Sequence, residues 1–282
     1  PTAIHEKGAL RELGLDSPEF YGGMTSHIGF ALNPAKYVHG LARAAESHGA
    51  KILENTPVTH TGEENGKHVL HTPNGRIIAD KVIFATNGYS SEDVPKWLAH
   101  RYLPALSSII VTRPMSGQEL AAQGWTSHQM CADTRRLLHY FHLMPDGRML
   151  FGMRGGTSAK GASERRIRQI IRGNFDRFFP AWRDVETPHF WSGFVCLTRP
   201  LVPFSGAIPG MPGAFAGYGY HGSGVSMGSY NGMLLASLAA GTKPAGPKPA
   251  FMEKAPGIFP PGRLRRGILP VTYAVLKQMD AF

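Results

Sequence analysis

The spacing of apolar positions changes several times along the chain, and each change predicts an element. Residues 4–15 place Ile4, Ala9, Leu10 and Leu13 at helical spacing, and 20–30 is a glycine-rich stretch suited to a hairpin or extended segment. Asn33-Pro34 then opens a helix. Asn33 suits the N-cap and Pro34 the first helical position. Tyr37, Leu41, Ala44 and Ala45 form its buried stripe, and Gly49 closes it. Residues 51–54 (KILE) predict a strand. From 60 to 79, short runs are separated by Glu64-Asn65-Gly66 and Pro73-Asn74-Gly75, the pattern of a β-meander. Residues 82–85 (VIFA) are continuously apolar, which predicts a strand buried on both faces and broken at Thr86-Asn87-Gly88.

The middle of the chain differs. Strands are expected at 107–112 (SSIIVT), 137–143 (LLHYFHL), 148–152 and 190–196, with a hairpin turn at Asp146-Gly147. A short helix is expected over 118–123. A longer one over 165–179 would bury Ile167, Ile170, Ile171, Phe175 and Phe178. Antiparallel strands with a helix across one face form an α+β layer, set beside the α/β arrangement of the flanking segments. Residues 241–261 are rich in Pro and Gly and read as a surface linker. A short C-terminal helix with a basic start is expected over 263–282. No internal repeat is visible.

One stretch, 213–232 (GAFAGYGYHGSGVSMGSYNG), carries the chemistry. A strand at Ala214-Phe215-Ala216 enters a glycine turn, and a helical pattern follows from Val225 to Leu238. Free amides of a first helical turn, with the macrodipole behind them, make an anion site. The plain alternative is a flexible glycine loop before a core helix. The pattern is not GxGxxG followed by an acidic residue, so it is not a standard first dinucleotide turn.

The chain has 282 residues, 42% hydrophobic and 18% charged, as for a globular enzyme. The formal charge of +10 would suit an acidic ligand, but the basic residues are scattered. Their dense set, Arg165, Arg166, Arg168 and Arg172, reads as the solvated face of a helix without interleaved aromatics, which argues against nucleic acid. Cys131 and Cys196 form no disulfide framework and no CxxC pair, so a reducing cytoplasm is the expected compartment. No metal site has sensible ligand spacing, and no apolar run approaches a membrane span. The chain opens with Pro1-Thr2-Ala3 and is expected to be an interior piece of something longer.

Four segments, 33–58, 79–90, 133–156 and 215–232, resemble flavoprotein oxidoreductases of the D-amino-acid oxidase superfamily, on the γ-glutamylputrescine oxidoreductase-like branch. The resemblance implies an FAD-binding domain of the glutathione-reductase-like type, discontinuous over 31–95 and 196–245 and lacking its N-terminal GxGxxG region. It also implies an antiparallel-sheet substrate domain over 1–30 and 96–195, with 246–282 as a C-terminal tail and helix. A noncovalent FAD would take Val58 at its adenine end and Ala85, Thr86, Asn87 and Gly88 where the buried strand ends. Gly222, Ser223, Gly224, Val225 and Ser226 would lie against the flavin pyrimidine ring. Some relatives bind flavin through a cysteine thioether, but the spacing of Cys196 to Thr198 does not match. The family often has an Asp near Pro200, which is missing here.

The implied reaction oxidises a C–N bond of an amine or amino acid, with hydride passing to flavin N5 and oxygen or a respiratory carrier as final acceptor. His221, Tyr140 and Arg154 are the candidates for orienting it. Arg154 would meet a substrate carboxylate; its alternative is a solvated strand-end arginine. His221 would modulate the flavin or simply be a structural histidine. Tyr140 and His142 alternate along the strand with His139 and Phe141, so one pair would face the flavin and the other the opposite side, and His139 and His142 are expected to be packed or surface residues. Three rival readings are a sarcosine/glycine oxidase or D-amino-acid dehydrogenase relative, a non-catalytic remnant or partner subunit without FAD, and a basic nucleic-acid binder. Exposed sheet edges left by the absent region would favour association.

Overall fold

The computed structural model describes residues 2–156 and 160–280, with the backbone alone for 262–266. The chain opens with β1 (Thr2–Glu6), α1 (Lys7–Glu12) and β2 (Gly22–Ser26). Next come α2 (Pro34–Ser47), the meander β3 (His60–Glu64), β4 (Lys67–Thr72) and β5 (Gly75–Ala79), and β6 (Val82–Phe84). The middle holds β7 (Leu103–Val111), α3 (Gly117–Gln123), β8 (Cys131–Ala132), β9 (His139–Leu143), β10 (Met149–Arg154), α4 (Gly161–Phe178) and β11 (His189–Leu197). The chain closes with β12 (Phe204–Ala207), β13 (Ala214–Tyr218), α5 (Gly224–Ala240) and α6 (Gly262–Met279). The fold is mixed α/β with antiparallel sheets, as the hydrophobic pattern predicts.

Local chemistry explains several helix ends. Asn33 Oδ1 accepts the Lys36 N–H at 3.0 Å, so the expected cap of α2 is made. Ser116 and Glu119 form a capping box on α3. Gly241 ends α5 in the left-handed conformation at φ 70°. The helix expected over 4–15 begins instead as a strand, because Thr2 to Glu6 pair with β2 in an antiparallel register, Ile4 opposite Met24. Helical spacing cannot register a partner some twenty residues away. Strand β12 was not expected; its sequence, FSGA, carries no alternation.

The chain divides into two compact units. The first comprises 1–32, 106–193 and 269–282. Its sheet has the strand order β11-β7-β10-β9-β8. Helix α4 buries Ile167, Ile171, Phe175 and Phe178. These join Phe141, Phe151, Phe179, Trp125 and Trp182 in one aromatic core. Phe141 and Phe151 stack at 5.9 Å, and Phe178 meets Phe151 edge-on at 5.3 Å. Each such buried side chain contributes about 1.5–3 kcal/mol. Ile170, expected in this core, is 39% exposed, because it lies to one side of the stripe that meets the sheet.

The second unit comprises 33–105 and 194–268. It holds two three-stranded sheets, the antiparallel meander β3-β4-β5 and the sheet β12-β13-β6, in which β13 and β6 are parallel with Ala216 opposite Phe84. Helix α5 buries Leu234, Leu235 and Asn231. Three expectations fail here. Strand β6 is buried on one face only, since Ile83 is 40% exposed between buried Val82 and Phe84. Helix α2 buries none of its residues, the Tyr37 and Leu41 stripe included, and 51–54 join no strand. The apolar pattern is present, but among the described residues no layer covers it.

Candidate functional site

Parallel pairing decides where this site forms. Because β6 and β13 run the same way, their carboxyl ends emerge side by side, the edge at which open α/β sheets bind ligands. The segment after β6 (Ala85, Thr86, Asn87, Gly88) and the loop after β13 therefore meet. The Gly219 N–H donates to Asn87 Oδ1 at 3.0 Å, tying one to the other. Asn87 adopts φ 45°, a left-handed conformation that Asn tolerates better than most residues. Gly88 admits no side chain: a Cβ there would stand 2.8 Å from the Phe194 carbonyl oxygen.

The loop after β13 is held from below. Gly219 has φ 83°, and a Cβ would come 2.4 Å from Thr198 Cγ2. Thr198 Oγ1 donates its single proton to the Val202 carbonyl at 2.8 Å, so it accepts from His221 Nε2 at 3.1 Å. That assignment places the His221 proton on Nε2. Asn231, inside α5, donates to the Phe204 carbonyl at 3.0 Å and to the Tyr220 hydroxyl at 3.3 Å. Sequence reasoning missed Thr198 and Asn231 as supports; both are fully buried polar residues, and burial is not visible in the chain.

Helix α5 begins with its donors uncovered. The Ser223 side chain makes no capping bond, and Ser226 Oγ turns back to donate to the Ser223 carbonyl at 3.2 Å. The first helical bond is Met227 N–H to Ser223 C=O at 2.9 Å. The amides of Gly224, Val225 and Ser226 precede it, and residues 222–226 are all exposed. Three amides at the positive end of a 17-residue helix form an anion-stabilising donor set. This set fits the electron-rich edge of a flavin ring. Burial pushes the Cys196 thiol up to about 12, which disfavours the thiolate a thioether link would start from. Val58 makes no hydrogen bond with these loops; it is half-buried in the extended segment before β3.

Tyr140 and Arg154 lie in the first unit. Tyr140, on β9, faces Gly152 of β10, and a Cβ on Gly152 would stand 2.1 Å from its ring. Glycine there lets the ring lie against the neighbouring strand. Its hydroxyl shares a 2.8 Å hydrogen bond with Ser107. Burial pushes the phenol up, against opposing effects from Ser107 and from the Arg154 charge, so the hydroxyl stays protonated. Arg154 therefore sits within electrostatic reach of Tyr140, and also of Tyr273 on α6.

The other strand histidines separate. Burial holds the His142 imidazole below its usual range. His139 is a core residue: Nδ1 bonds Asp133 at 2.7 Å, Nε2 accepts from Asn174 at 2.9 Å, and the ring stacks on Phe151 at 5.4 Å. Burial alone would raise the Asp133 carboxyl, but hydrogen bonds from His139 and Arg135 outweigh it and hold it low. Among the described residues no cluster of His, Cys, Asp and Glu could hold a metal ion, and no helix is long and apolar enough to cross a membrane.

Known proteins share this architecture. "Probable oxidoreductase OrdL" of Rhizobium meliloti (strain 1021) is 36% identical over 217 residues, covering 77% of this chain and 48% of the relative. Gamma-glutamylputrescine oxidoreductase of Escherichia coli (strain K12) is 28% identical over 250 residues, 89% of this chain and 57% of the relative. The chain thus spans about half the length of the curated relatives it matches. Among solved structures, glycine oxidase from Geobacillus kaustophilus superposes with a TM-score of 0.73 at 20% identity, covering 90% of this chain and 66% of that one. The family model described as "FAD dependent oxidoreductase" (DAO) matches residues 3–238, and the chain belongs to that family.

Proposed function

We propose that this chain is the flavin-ring and substrate-orienting part of an FAD-dependent oxidoreductase that oxidises a C–N bond of an amine or amino acid, γ-glutamylputrescine being the model substrate. The observation that carries the reading is the Asn87–Gly219 bond, which joins the two loops beside an uncapped helix start. Ala85, Thr86, Asn87 and Gly88 would support the cofactor, with Val58 reserved for its adenine end. The free amides of Gly224, Val225 and Ser226 would hold the flavin, with Gly222 and Ser223 lying against the ring; the Ser223 N–H is itself bonded to the Tyr220 carbonyl at 2.9 Å. When bound, the flavin supplies the two-electron acceptor for converting the amine to an imine. The helix start favours negative charge at its mouth. His221, fixed by Thr198, presents one defined tautomer. Tyr140, protonated, donates a hydrogen bond, and Arg154 offers a bidentate guanidinium to a substrate carboxylate. In this reading the second unit is the FAD-binding domain and the first the substrate domain.

A titration of the purified chain with FAD tests this, followed by bleaching with γ-glutamylputrescine, sarcosine, glycine and D-amino acids. A perturbed flavin spectrum that bleaches with one of these amines is expected. A chain that binds FAD but is bleached by no amine overturns the assigned chemistry. A second reading, a partner subunit that holds no flavin by itself, is favoured by the unburied α2 and the exposed Ile83. It predicts no spectral change on adding FAD until a second chain is supplied.

A further inference from the structure

We propose that a cavity in the first unit, between α4, the end of β10 and the second half of α6, binds a small amphipathic anion, a carboxylate or phosphate ester bearing an apolar chain. The cavity measures about 920 Å³, a size suited to a small molecule. Its walls are two helical stripes. From α6 come Pro270, Tyr273, Ala274 and Lys277, at the three- and four-residue spacing of one helix face. From α4 comes the face carrying Arg166, Ile170 and Arg177.

Five cationic side chains line it, Arg135, Arg154, Arg166, Arg177 and Lys277, against the single carboxylate of Asp280. Several of these groups also bond within the protein; Arg177 donates to Asn174 Oδ1 at 3.1 Å. Arg135 ion-pairs with Asp133 at 2.8 Å and Glu19 at 2.7 Å. Asp280 accepts the N–H groups of Arg136 and Leu137, each at 2.9 Å. Among the described residues no carboxylate ion-pairs with Arg166, Arg177 or Lys277. Like charges gathered around one concavity repel one another, and an anion placed there relieves that cost. The surface between them is apolar: Ile167, Ile170, Met153 and Pro270 line it. Ile170 is the α4 side chain that lies to one side of the aromatic core. Burial keeps the Tyr273 phenol protonated, so it donates rather than repels.

The dense arginine set of α4 is thus not one solvated face. Arg172 donates to the Val185 carbonyl at 2.6 Å, Arg168 to the Thr187 carbonyl at 3.5 Å, and Arg166 lines the cavity. The inference needs no flavin and rests on the first unit alone, so it stands or falls apart from the function proposed above. Arg154 also lines the cavity, but Arg166, Arg177 and Lys277 carry the argument.

Calorimetric titration of the full chain at low salt with octanoate, octyl phosphate and neutral octanol tests it. One saturable site for at least one of the anions is expected, with octanol at least about tenfold weaker. The tighter anion identifies the source, carboxylate or phosphate. Arg166→Gln and Lys277→Gln should each weaken that anion about tenfold or more, as loss of a charged hydrogen bond does. Arg165→Gln, on the same helix but outside the cavity, should leave it unchanged. No saturable binding of either anion at millimolar concentration overturns the proposal, and so does equal weakening by Arg165→Gln. Should a variant fail to fold, the anion-against-octanol comparison on the unaltered chain still decides.

Discussion

The two units contain helices of comparable amphipathicity and treat them oppositely. In the first, α4 lays Ile167, Ile171, Phe175 and Phe178 onto a five-stranded sheet, and all four are buried. In the second, α2 carries a stripe of Tyr37, Leu41, Ala44 and Ala45, and none is buried. An apolar stripe states what a helix can bury. Whether it does so depends on a second apolar face at the right distance, and neither three-stranded sheet of the second unit offers one to α2. The exposed Ile83 on β6 reports the same deficit from the side of the sheet.

This contrast can be broken by mutation. Phe151→Ala removes a fully buried ring in contact with Phe141, Phe178 and Phe179, and should cost the first unit about 3–5 kcal/mol, read by urea denaturation. A loss near 1 kcal/mol would mean that the aromatic core is not the main support. Asp133→Asn removes the carboxylate that His139 and Arg135 share, leaving Arg135 with Glu19 alone, and should cost about 1–3 kcal/mol at neutral pH.

The same carboxylate gives a pH signature. Its folded value lies below the unfolded one, so its contribution is complete above about pH 3.9 and is lost as pH falls through the depressed folded value. The unaltered chain should therefore lose stability on acidification below pH 4 more steeply than Asp133→Asn. Parallel acid curves would remove the pair from the account.

Smaller effects fall on the loops of the second unit. Asn87→Ala frees the Gly219 amide and should cost about 1 kcal/mol. If those loops hold flavin, it should also weaken FAD binding severalfold in a fluorescence titration. Unchanged affinity would separate the bond from the cofactor. The smallest change is expected for Leu41→Ala on α2, within about 0.5 kcal/mol, because Leu41 is already 46% exposed. A cost above 2 kcal/mol would show that α2 is covered in solution and would erase the contrast between the units.

Local features of the fold were legible because their causes are local. The Asn33 cap, the meander turns at Asn65-Gly66 and Gly75, the α4 stripe and the strand–glycine turn–helix at 213–241 all depend on neighbours within a few residues. The strand end before Ala85 and the helix start at Gly224 could likewise be picked out, since both are written in sequence. Their supports could not. Thr198 reaches His221, Asn87 reaches Gly219 and Ser107 reaches Tyr140 across 23, 132 and 33 residues.

The sequence by itself determined the periods of elements such as α4 and the meander, the Asn33 cap of α2, the end of α5 at Gly241 and the family. Tertiary structure alone decided three further things: that Thr2 to Glu6 form a strand, that His139 is a core residue while Tyr140 faces Gly152, and that α2 stays uncovered. The physical reason is common to them. A period fixes which side chains share a face, but burial, register and hydrogen-bond partners are properties of two surfaces brought together, and only one of the two is written in any local stretch.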